Sequence, residues 1–268
     1  MIGTTKLDIS ALAGELYTSL RARTTVSPLT SRVPGITIDD AYRISLGLLE
    51  RRLNDGERVV GKKIGVTSKP VQDMLDVREP DFGFLTDVME VADGGSISIA
   101  NTLIQPRAEA EIAFILGRDL RGPGVTTTDV LAATAAVAPC FEIVDSRIAN
   151  WKIRIQDTVA DNASCGAFVL GSARLDPREH DLAALHVRVL KNGSFLSEGL
   201  GAAVQGSPLV AVAWLANTLG RHDVTLAAGD VILSGSLVPL EPAVAGDTFS
   251  LTLSGAGKEL GGVSVHFT

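Results

Sequence analysis

A change of hydrophobic pattern near residue 58 constrains the fold of this chain more than any other feature of its sequence. Before that point apolar residues recur at helical spacing, whereas after it short apolar runs of strand length alternate with turn residues. Val59–Val60, Cys165–Leu170 and Val231–Leu233 are examples of these short runs. The pattern predicts an α+β fold, with a helical N-terminal part over residues 1–56 and a β-rich body over residues 57–268 that together form one structural unit.

Four longer helices are predicted from apolar spacing and capping signals. In the N-terminal part, one covers residues 9–23 and the other follows Thr37, whose hydroxyl suits an N-cap. In the body, one covers residues 128–137, and one begins at Ser207-Pro208, with the serine as its cap, and ends near Gly220. The expected apolar face of the helix after Thr37 consists of Tyr42, Leu46 and Leu49.

The other strands of the body are predicted from alternation and from turn residues. Asn192-Gly193 is a strong signal for a two-residue hairpin between residues 186–190 and residues 195–198. Further strands are expected at Ile97 and Ile99, at residues 248–253 and at residues 263–267.

Charge and hydropathy argue against two kinds of partner. The net charge is −7 and there is no stripe of Lys and Arg, so we expect no nucleic-acid partner. The longest apolar stretches, such as Leu131–Cys140, are too short to span a bilayer, and the first residues lack the apolar core of a signal sequence. We therefore expect a cytoplasmic protein with no membrane partner. Cys140 and Cys165 lack redox or metal spacing and are expected to be buried thiols.

Two glutamates in the segment 105–116 form the most informative local pattern. Side chains alternate between the two faces of a strand, so Glu109 and Glu111 share one face while the apolar residues of the segment share the other. Adjacent carboxylates repel each other, and a divalent cation turns this repulsion into attraction. The spacing alone also fits a solvated strand face.

Glu142 offers a third carboxylate. It lies in the apolar stretch Phe141–Asp145 and is expected to be buried, where a carboxylate without a partner is costly. Three carboxylates on Mg²⁺ or Mn²⁺ would leave octahedral positions open for substrate oxygens and a water. An all-oxygen set of ligands also disfavours zinc.

Five motifs lie in order along nearly the whole chain: GKKIGVTS (61–68), PDFG (80–83), IQPRAEAE (104–111), FEIVDSR (141–147) and ADNASCG (160–166). A further match is Leu233-Ser234-Gly235-Ser236. Together these motifs resemble the 2-keto-4-pentenoate hydratase family of the fumarylacetoacetate hydrolase superfamily. The resemblance implies that the body has mixed sheets like those of the fumarylacetoacetate hydrolase C-terminal domain.

The same resemblance implies two sets of site residues. The metal ligands are Glu109, Glu111 and Glu142, and the metal is Mg²⁺ or Mn²⁺. The acid–base and substrate-binding positions are Lys63, Asp81 and Ser164. Each residue of the second set also fits a structural role, as a lysine reaching solvent, a turn aspartate and a loop serine. Arg107 and Arg147 either balance charge near the site or lie on the surface.

By resemblance, the chain is a hydro-lyase that adds water to 2-hydroxypenta-2,4-dienoate, giving 4-hydroxy-2-oxopentanoate in the meta-cleavage degradation of aromatic compounds. One alternative is a 4-oxalocrotonate decarboxylase, which shares the metal ligands but resembles this chain less at Pro80–Gly83 and Ser164–Gly166. Another is a supporting subunit of a hydratase–decarboxylase complex. The family also implies homo-oligomers and a possible complex with the decarboxylase.

Overall fold

The computed structural model describes residues 7–268, and the predicted α+β fold is confirmed. The helices are α1 (Ile9–Ala22), α2 (Leu29–Arg32), α3 (Ile38–Asn54), α4 (Lys69–Leu75), α5 (Ile99–Thr102), α6 (Thr127–Ala133), α7 (Ile155–Ala160) and α8 (Pro208–Gly220). The strands are β1 (Val59–Gly65), β2 (Asp81–Thr86), β3 (Glu90–Val91), β4 (Ser96–Ile97), β5 (Pro106–Leu116), β6 (Thr134–Asp145), β7 (Cys165–Leu170), β8 (His186–Lys191), β9 (Ser194–Leu200), β10 (Val231–Leu233), β11 (Glu241–Pro242), β12 (Thr248–Gly255) and β13 (Lys258–Phe267).

Two sheets form the body. The larger has eight strands in the order β2-β1-β10-β5-β6-β7-β3, with β11 paired to β5 outside this path. The smaller has five strands in the order β4-β13-β12-β8-β9. Each sheet contains both parallel and antiparallel pairs, as the resemblance implies. The long pair β5 and β6 is antiparallel and forms the middle of the larger sheet.

An apolar core lies between the two sheets. Ala110 and Ile112 of β5 share a face with Phe141 of β6, whose ring meets Phe249 of β12 at a centroid distance of 6.3 Å. All four residues are buried. The face of β5 and β6 that packs on the smaller sheet is therefore the apolar one, and the glutamates point to the other side.

The two predicted N-terminal helices are confirmed, although one predicted face is wrong. Thr37 caps α3 in a capping box with Asp40. Leu46, assigned to the buried face, is 51% exposed, and Tyr42 and Leu49 are only partly buried. The helix packs against α1 and α7, so the face that it buries is the one directed toward these two helices. The buried residues of α3 are Ala41, Ile44, Ser45, Leu48 and Arg52.

Three local predictions in the body are wrong. The helix predicted at 128–137 ends at Ala133, because β6 begins at Thr134 and pairs with β5 along its whole length, so tertiary pairing overrides the local pattern. Ile99 begins α5 and does not extend β4. Ser207 precedes α8 as predicted, but its side chain makes no capping hydrogen bond. The hairpin at Asn192-Gly193 is confirmed, with φ values of 54° and 77°.

One segment, Gly201–Gly220, is by length and composition apolar enough to cross a membrane, which the sequence had not led us to expect. Within it, α8 buries Ala211, Val212 and Leu215 in the core. A core helix of a soluble protein passes the same test of length and composition, so the segment is weak evidence for a membrane span.

Candidate active site

Three glutamates meet on the face of β5 and β6 opposite the apolar core. Glu109 stands directly across from Glu142 in the antiparallel register, and Glu111 is two residues further along β5. One carboxylate oxygen from each residue lies within 4.8 Å of the others. All three carboxylates are therefore in one cluster, as the strand periodicity and the resemblance predict.

Three of the six carboxylate oxygens in this cluster are buried and lack a hydrogen-bond partner in the described chain. Glu111 Oε1 and both carboxylate oxygens of Glu142 are buried and have no hydrogen-bond partner within residues 7–268. Lys63 Nζ lies 3.2 Å from Glu142 Oε1 but does not meet hydrogen-bond geometry. Glu111 Oε2 accepts a hydrogen bond of 2.8 Å from the backbone N–H of Gly235. Buried anionic oxygens without donors are expensive, and they fit a hard divalent cation.

Burial acts on the same carboxylates electrostatically. Burial and the neighbouring Glu142 raise the pKa of Glu109 to about 8. Burial, followed by the charges of Glu142 and Glu109, raises the pKa of Glu111 well above its ordinary value. For Glu142, burial raises the pKa even though Lys63 opposes it. The protein alone therefore disfavours the charged form of each group, and a cation would favour it.

Lys63 and Asp81 lie beside this cluster on adjacent strands. Asp81 begins β2 and stands opposite Gly65 of β1, and both charged side chains are buried. A Cβ atom on Gly65 would overlap Asp81 Oδ1 and would lie 3.1 Å from Lys63 Nζ, so the glycine makes room for both groups. Burial raises the pKa of Asp81 although Lys63 opposes it. For Lys63, burial disfavours the charge, but Glu142 and Asp81 outweigh it and raise the pKa.

Ser164 reaches the site from a short irregular turn before β7. Its hydroxyl is buried and lies 3.1 Å from the hydroxyl of Thr158 on α7. Asn162, Ala163 and Ser164 have φ values of 54°, 49° and 55°, so three consecutive non-glycine residues are left-handed. Such backbone is costly and persists only where its surroundings hold it.

A cavity of about 660 Å³ joins these groups. Lys63, Asp81, Glu109 and Ser164 line it, while Glu111 and Glu142 are fully buried beside Glu109. All six predicted site residues are thus brought together at one place. The apolar part of the lining includes Val66, Leu75, Val144, Ile153, Leu237 and Val238.

For three further residues, the sequence did not settle whether they belong to the site. Gly235, recognised only as part of a motif, orients Glu111 through its N–H. Arg107 lines the cavity, with its guanidinium carbon 4.7 Å from the ring centroid of Trp151. Its place on the face of Glu109 and Glu111 follows from the strand period. Arg147 is neither in the cavity lining nor on the surface, since it is buried and paired with Asp161.

The chain is similar to known proteins over most of its length. The model of the fumarylacetoacetate hydrolase C-terminal family matches residues 53–263. The chain is 61% identical to a 2-hydroxyhexa-2,4-dienoate hydratase of Comamonas testosteroni, over 94% of this chain and 95% of the relative. It is 62% identical to a 2-hydroxypent-2,4-dienoate hydratase of Pseudomonas putida, over 81% of this chain and 97% of the relative.

One solved structure extends the comparison to the whole fold. The 4-oxalocrotonate decarboxylase from Pseudomonas putida G7, complexed with magnesium and adipate, matches with a TM-score of 0.92 and 36% identity over 97% of each chain. The same decarboxylase is also known complexed with calcium and acetate. Sequence identity to the two hydratases is thus considerably higher than sequence identity to the decarboxylase.

Proposed function

This chain belongs to the fumarylacetoacetate hydrolase family and is a hydro-lyase of its hydratase group, and we propose that its substrate is 2-hydroxypenta-2,4-dienoate. The product is then 4-hydroxy-2-oxopentanoate. The observation that carries the proposal is the cluster of three buried carboxylates at a cavity that Lys63, Asp81 and Ser164 also line. A metal-assisted reaction of a small oxo acid needs this combination of an anionic metal site and nearby proton carriers.

Glu109, Glu111 and Glu142 are the proposed ligands of Mg²⁺ or Mn²⁺. Oxygen ligands suit these ions and disfavour zinc. When bound, such an ion would stabilise the negative charge that develops on the oxygen at C2 during the reaction. The buried oxygens of Glu111 and Glu142 that lack donors within residues 7–268 support this assignment.

The reaction needs protons at two carbons. The dienol first becomes 2-oxopent-3-enoate, as the proton of its hydroxyl is lost and C5 gains one. Water then adds across the C3–C4 double bond, with the hydroxyl on C4 and a proton on C3. Conjugation with the 2-oxo group makes C4 electrophilic, so ketonisation has to precede hydration.

Lys63 and Asp81 are the proposed acid–base pair. A carboxyl group whose pKa is raised by burial holds or releases a proton closer to neutral pH than an ordinary aspartate, which suits Asp81 for this work. The charges of Glu142 and Asp81 raise the pKa of Lys63 and keep it protonated. Charge compensation at the three glutamates would lower its pKa and so ease donation of this proton.

Ser164 is proposed to bind the substrate. Ser164 lines the cavity, and when the Thr158 hydroxyl is the donor in their contact, the Ser164 hydroxyl can donate a hydrogen bond to a carboxylate oxygen or orient the attacking water. Arg107, on the same strand face as Glu109, is the other cationic group of the lining besides Lys63 and balances the charge of an acidic substrate.

One assay tests the class, the metal and the substrate together. Loss of the dienoate absorbance is followed with pentadienoate and hexadienoate substrates after chelation and after adding back Mg²⁺ or Mn²⁺. We expect no turnover in the chelated protein and recovery with either ion. In parallel, 4-oxalocrotonate should release carbon dioxide more slowly than hydroxypentadienoate is hydrated. Faster decarboxylation, or full activity after exhaustive chelation, would contradict the proposal.

The association of the chain with itself and with a 4-oxalocrotonate decarboxylase stays a prediction, as does its cytoplasmic location. Light scattering after size-exclusion chromatography measures self-association. Mixing the chain with the purified decarboxylase before the same measurement tests whether the two proteins form a complex. Turnover of the isolated chain at low concentration would separate a working hydratase from a supporting subunit.

A further inference from the structure

The turn that carries Ser164 is attached directly to the strand that carries Asp81. The side-chain amide of Asn162 accepts a hydrogen bond of 2.8 Å from Phe84 N and donates one of 3.0 Å to Phe84 O. Both bonds go to one residue at the free edge of β2, so the amide replaces a neighbouring strand. Phe84 is three residues from Asp81, and Asn162 is two residues from Ser164.

The backbone of the turn also lies close to the backbone of β2 at this point. A Cβ atom on Gly83 would lie 2.5 Å from the carbonyl oxygen of Asn162, so only glycine allows the turn to rest on β2. This close approach explains why the last position of the Pro80–Gly83 motif is a glycine. Asn162 is buried but does not line the cavity, whereas the two residues after it do.

A second clamp holds the ends of the same turn. Arg147 donates to the carboxylate and the carbonyl oxygen of Asp161, and to the carbonyl oxygen of Cys165. The left-handed residues between Asp161 and Cys165 are therefore held at both ends by Arg147, and the first of them, Asn162, is also bonded to Phe84. Strained backbone of this kind needs such support to keep one conformation.

We propose that Asn162 is a positioning residue that sets the distance between Asp81 and Ser164 by clamping the left-handed turn to the edge of β2. The inference rests on the proposed roles of Asp81 and Ser164. Asn162 does not line the cavity, so it acts only through these two groups. The glutamate cluster is on β5 and β6, and the Asn162 side chain makes no hydrogen bond to it.

A matched control exists elsewhere in the chain. Asn217 on α8 makes the same pair of bonds to Val125, accepting 2.8 Å from its N–H and donating 2.8 Å to its carbonyl oxygen. Neither residue lines the cavity. Asn217→Ala therefore removes an equivalent clamp without touching the site.

The experiment compares Asn162→Ala and Asn162→Gly with Asn217→Ala. Both Asn162 variants should lower kcat on the order of 100-fold, because small displacements of reacting groups have effects of this size. Their affinity for Mn²⁺ should stay within about twofold of the wild type, since the ligands are on other strands. Glycine adopts positive φ without strain, so Asn162→Gly also keeps the test valid if Asn162→Ala does not fold.

Two further measurements separate positioning from general stability. Hydrogen exchange should become faster in residues 81–86 and 161–166 together in the Asn162 variants, and in neither segment in Asn217→Ala. This result does not depend on activity. In a Ser164→Ala background, Asn162→Ala should cause a much smaller further loss of kcat than in the wild type, because the two residues act together.

Several outcomes would overturn the inference. They are wild-type kcat in both Asn162 variants, full activity in Asn162→Gly alone, losses that multiply independently with Ser164→Ala, or a parallel loss of Mn²⁺ affinity. A wild-type protein that fails to hydrate the dienoate would contradict the proposed function instead, and the exchange measurement would still decide whether the clamp exists.

Discussion

At the scale of single residues, the glutamate cluster is a group of charges that the chain itself does not neutralise. Lys63 is the one cation within 4 Å of these carboxylates in the described chain, and it contacts Glu142. Three buried carboxylates against one buried lysine leave excess negative charge when they are ionised, and a divalent ion would compensate most of it. Glu109, Glu111 and Glu142 should therefore be more important for metal binding than for folding.

Glu111→Gln and Glu142→Gln should each weaken Mn²⁺ binding at least about tenfold, because the charge of the ligands sets the affinity for divalent ions. Titration calorimetry measures the affinity, and circular dichroism checks that the fold is intact. Glu50→Gln, an exposed change on α3, is the control. Unchanged affinity in both site variants would rule out these residues as ligands.

Lys63→Met and Asp81→Asn test whether ketonisation and hydration use different proton carriers. Each variant keeps much of the shape of the side chain but cannot carry the proton, so at least one should slow ketonisation and hydration unequally. Deuterium incorporation at C3 and C5 in D₂O, followed by NMR beside product formation, measures the two steps. The outcome expected for one variant is continued exchange with little product.

The control for Lys63→Met is the neighbouring buried lysine. Lys62→Met also removes a buried ion pair, the 2.6 Å contact with Asp230, but Lys62 points to the other face of β1 and does not line the cavity. It should reduce stability and leave the ratio of exchange to hydration unchanged. If Lys63→Met and Asp81→Asn both hydrate at the wild-type rate, they are not the acid–base pair.

At the scale of elements, the predictions that succeeded rest on short-range rules. Strand alternation placed Glu109 and Glu111 on one face, and Asn192-Gly193 located the hairpin. The helix predicted at 128–137 was cut short by pairing of β6 with β5, which no local pattern reports. The clamp of Asn162 on Phe84 joins residues 78 positions apart and was likewise not visible in the sequence.

The segment after β10 orients one carboxylate of the glutamate cluster through a backbone N–H group. Gly235 has a φ of 111°, and an added Cβ would overlap Thr67. Gly235→Ala should therefore displace the N–H that orients Glu111 and weaken Mn²⁺ binding roughly 10- to 100-fold. Gly229→Ala, at a φ of 92° with open space around it, has a comparable backbone cost and should leave metal affinity unchanged. Equal effects of the two variants would show that only backbone strain is involved.

At the scale of the whole molecule, the site places a charged cluster inside the larger sheet, and its stability depends on what compensates that charge. The apolar face of β5 and β6 packs on the smaller sheet, and their other face carries the carboxylates. Folding without a metal therefore requires either protonated glutamates or buried negative charge. Because protons and metal ions compete for the same oxygens, pH and metal should act on stability in opposite senses.

The metal-free protein should lose stability as the pH rises. The pKa of Glu109 is raised from 4.5 to about 8 in the folded chain, so between these values the folded state binds more protons than the unfolded state. The contribution of Glu109 to stability then falls as pH increases through this window and levels off above it. Asp161, whose pKa burial raises to about 6 despite its pairing with Arg147, adds to the fall at the acidic end.

Thermal unfolding in EDTA and in saturating Mg²⁺ or Mn²⁺, from about pH 5.5 to pH 8.5, measures both effects. We expect Tm to decrease with pH in EDTA, and the increase in Tm caused by the metal to become larger as the pH rises, because metal binding displaces protons that are held more weakly at high pH. Glu109→Gln removes one titrating group and should flatten the EDTA curve. A Tm in EDTA that rises with pH over this window would mean that the glutamates are already charged and compensated within the protein, and that the cluster does not need a cation.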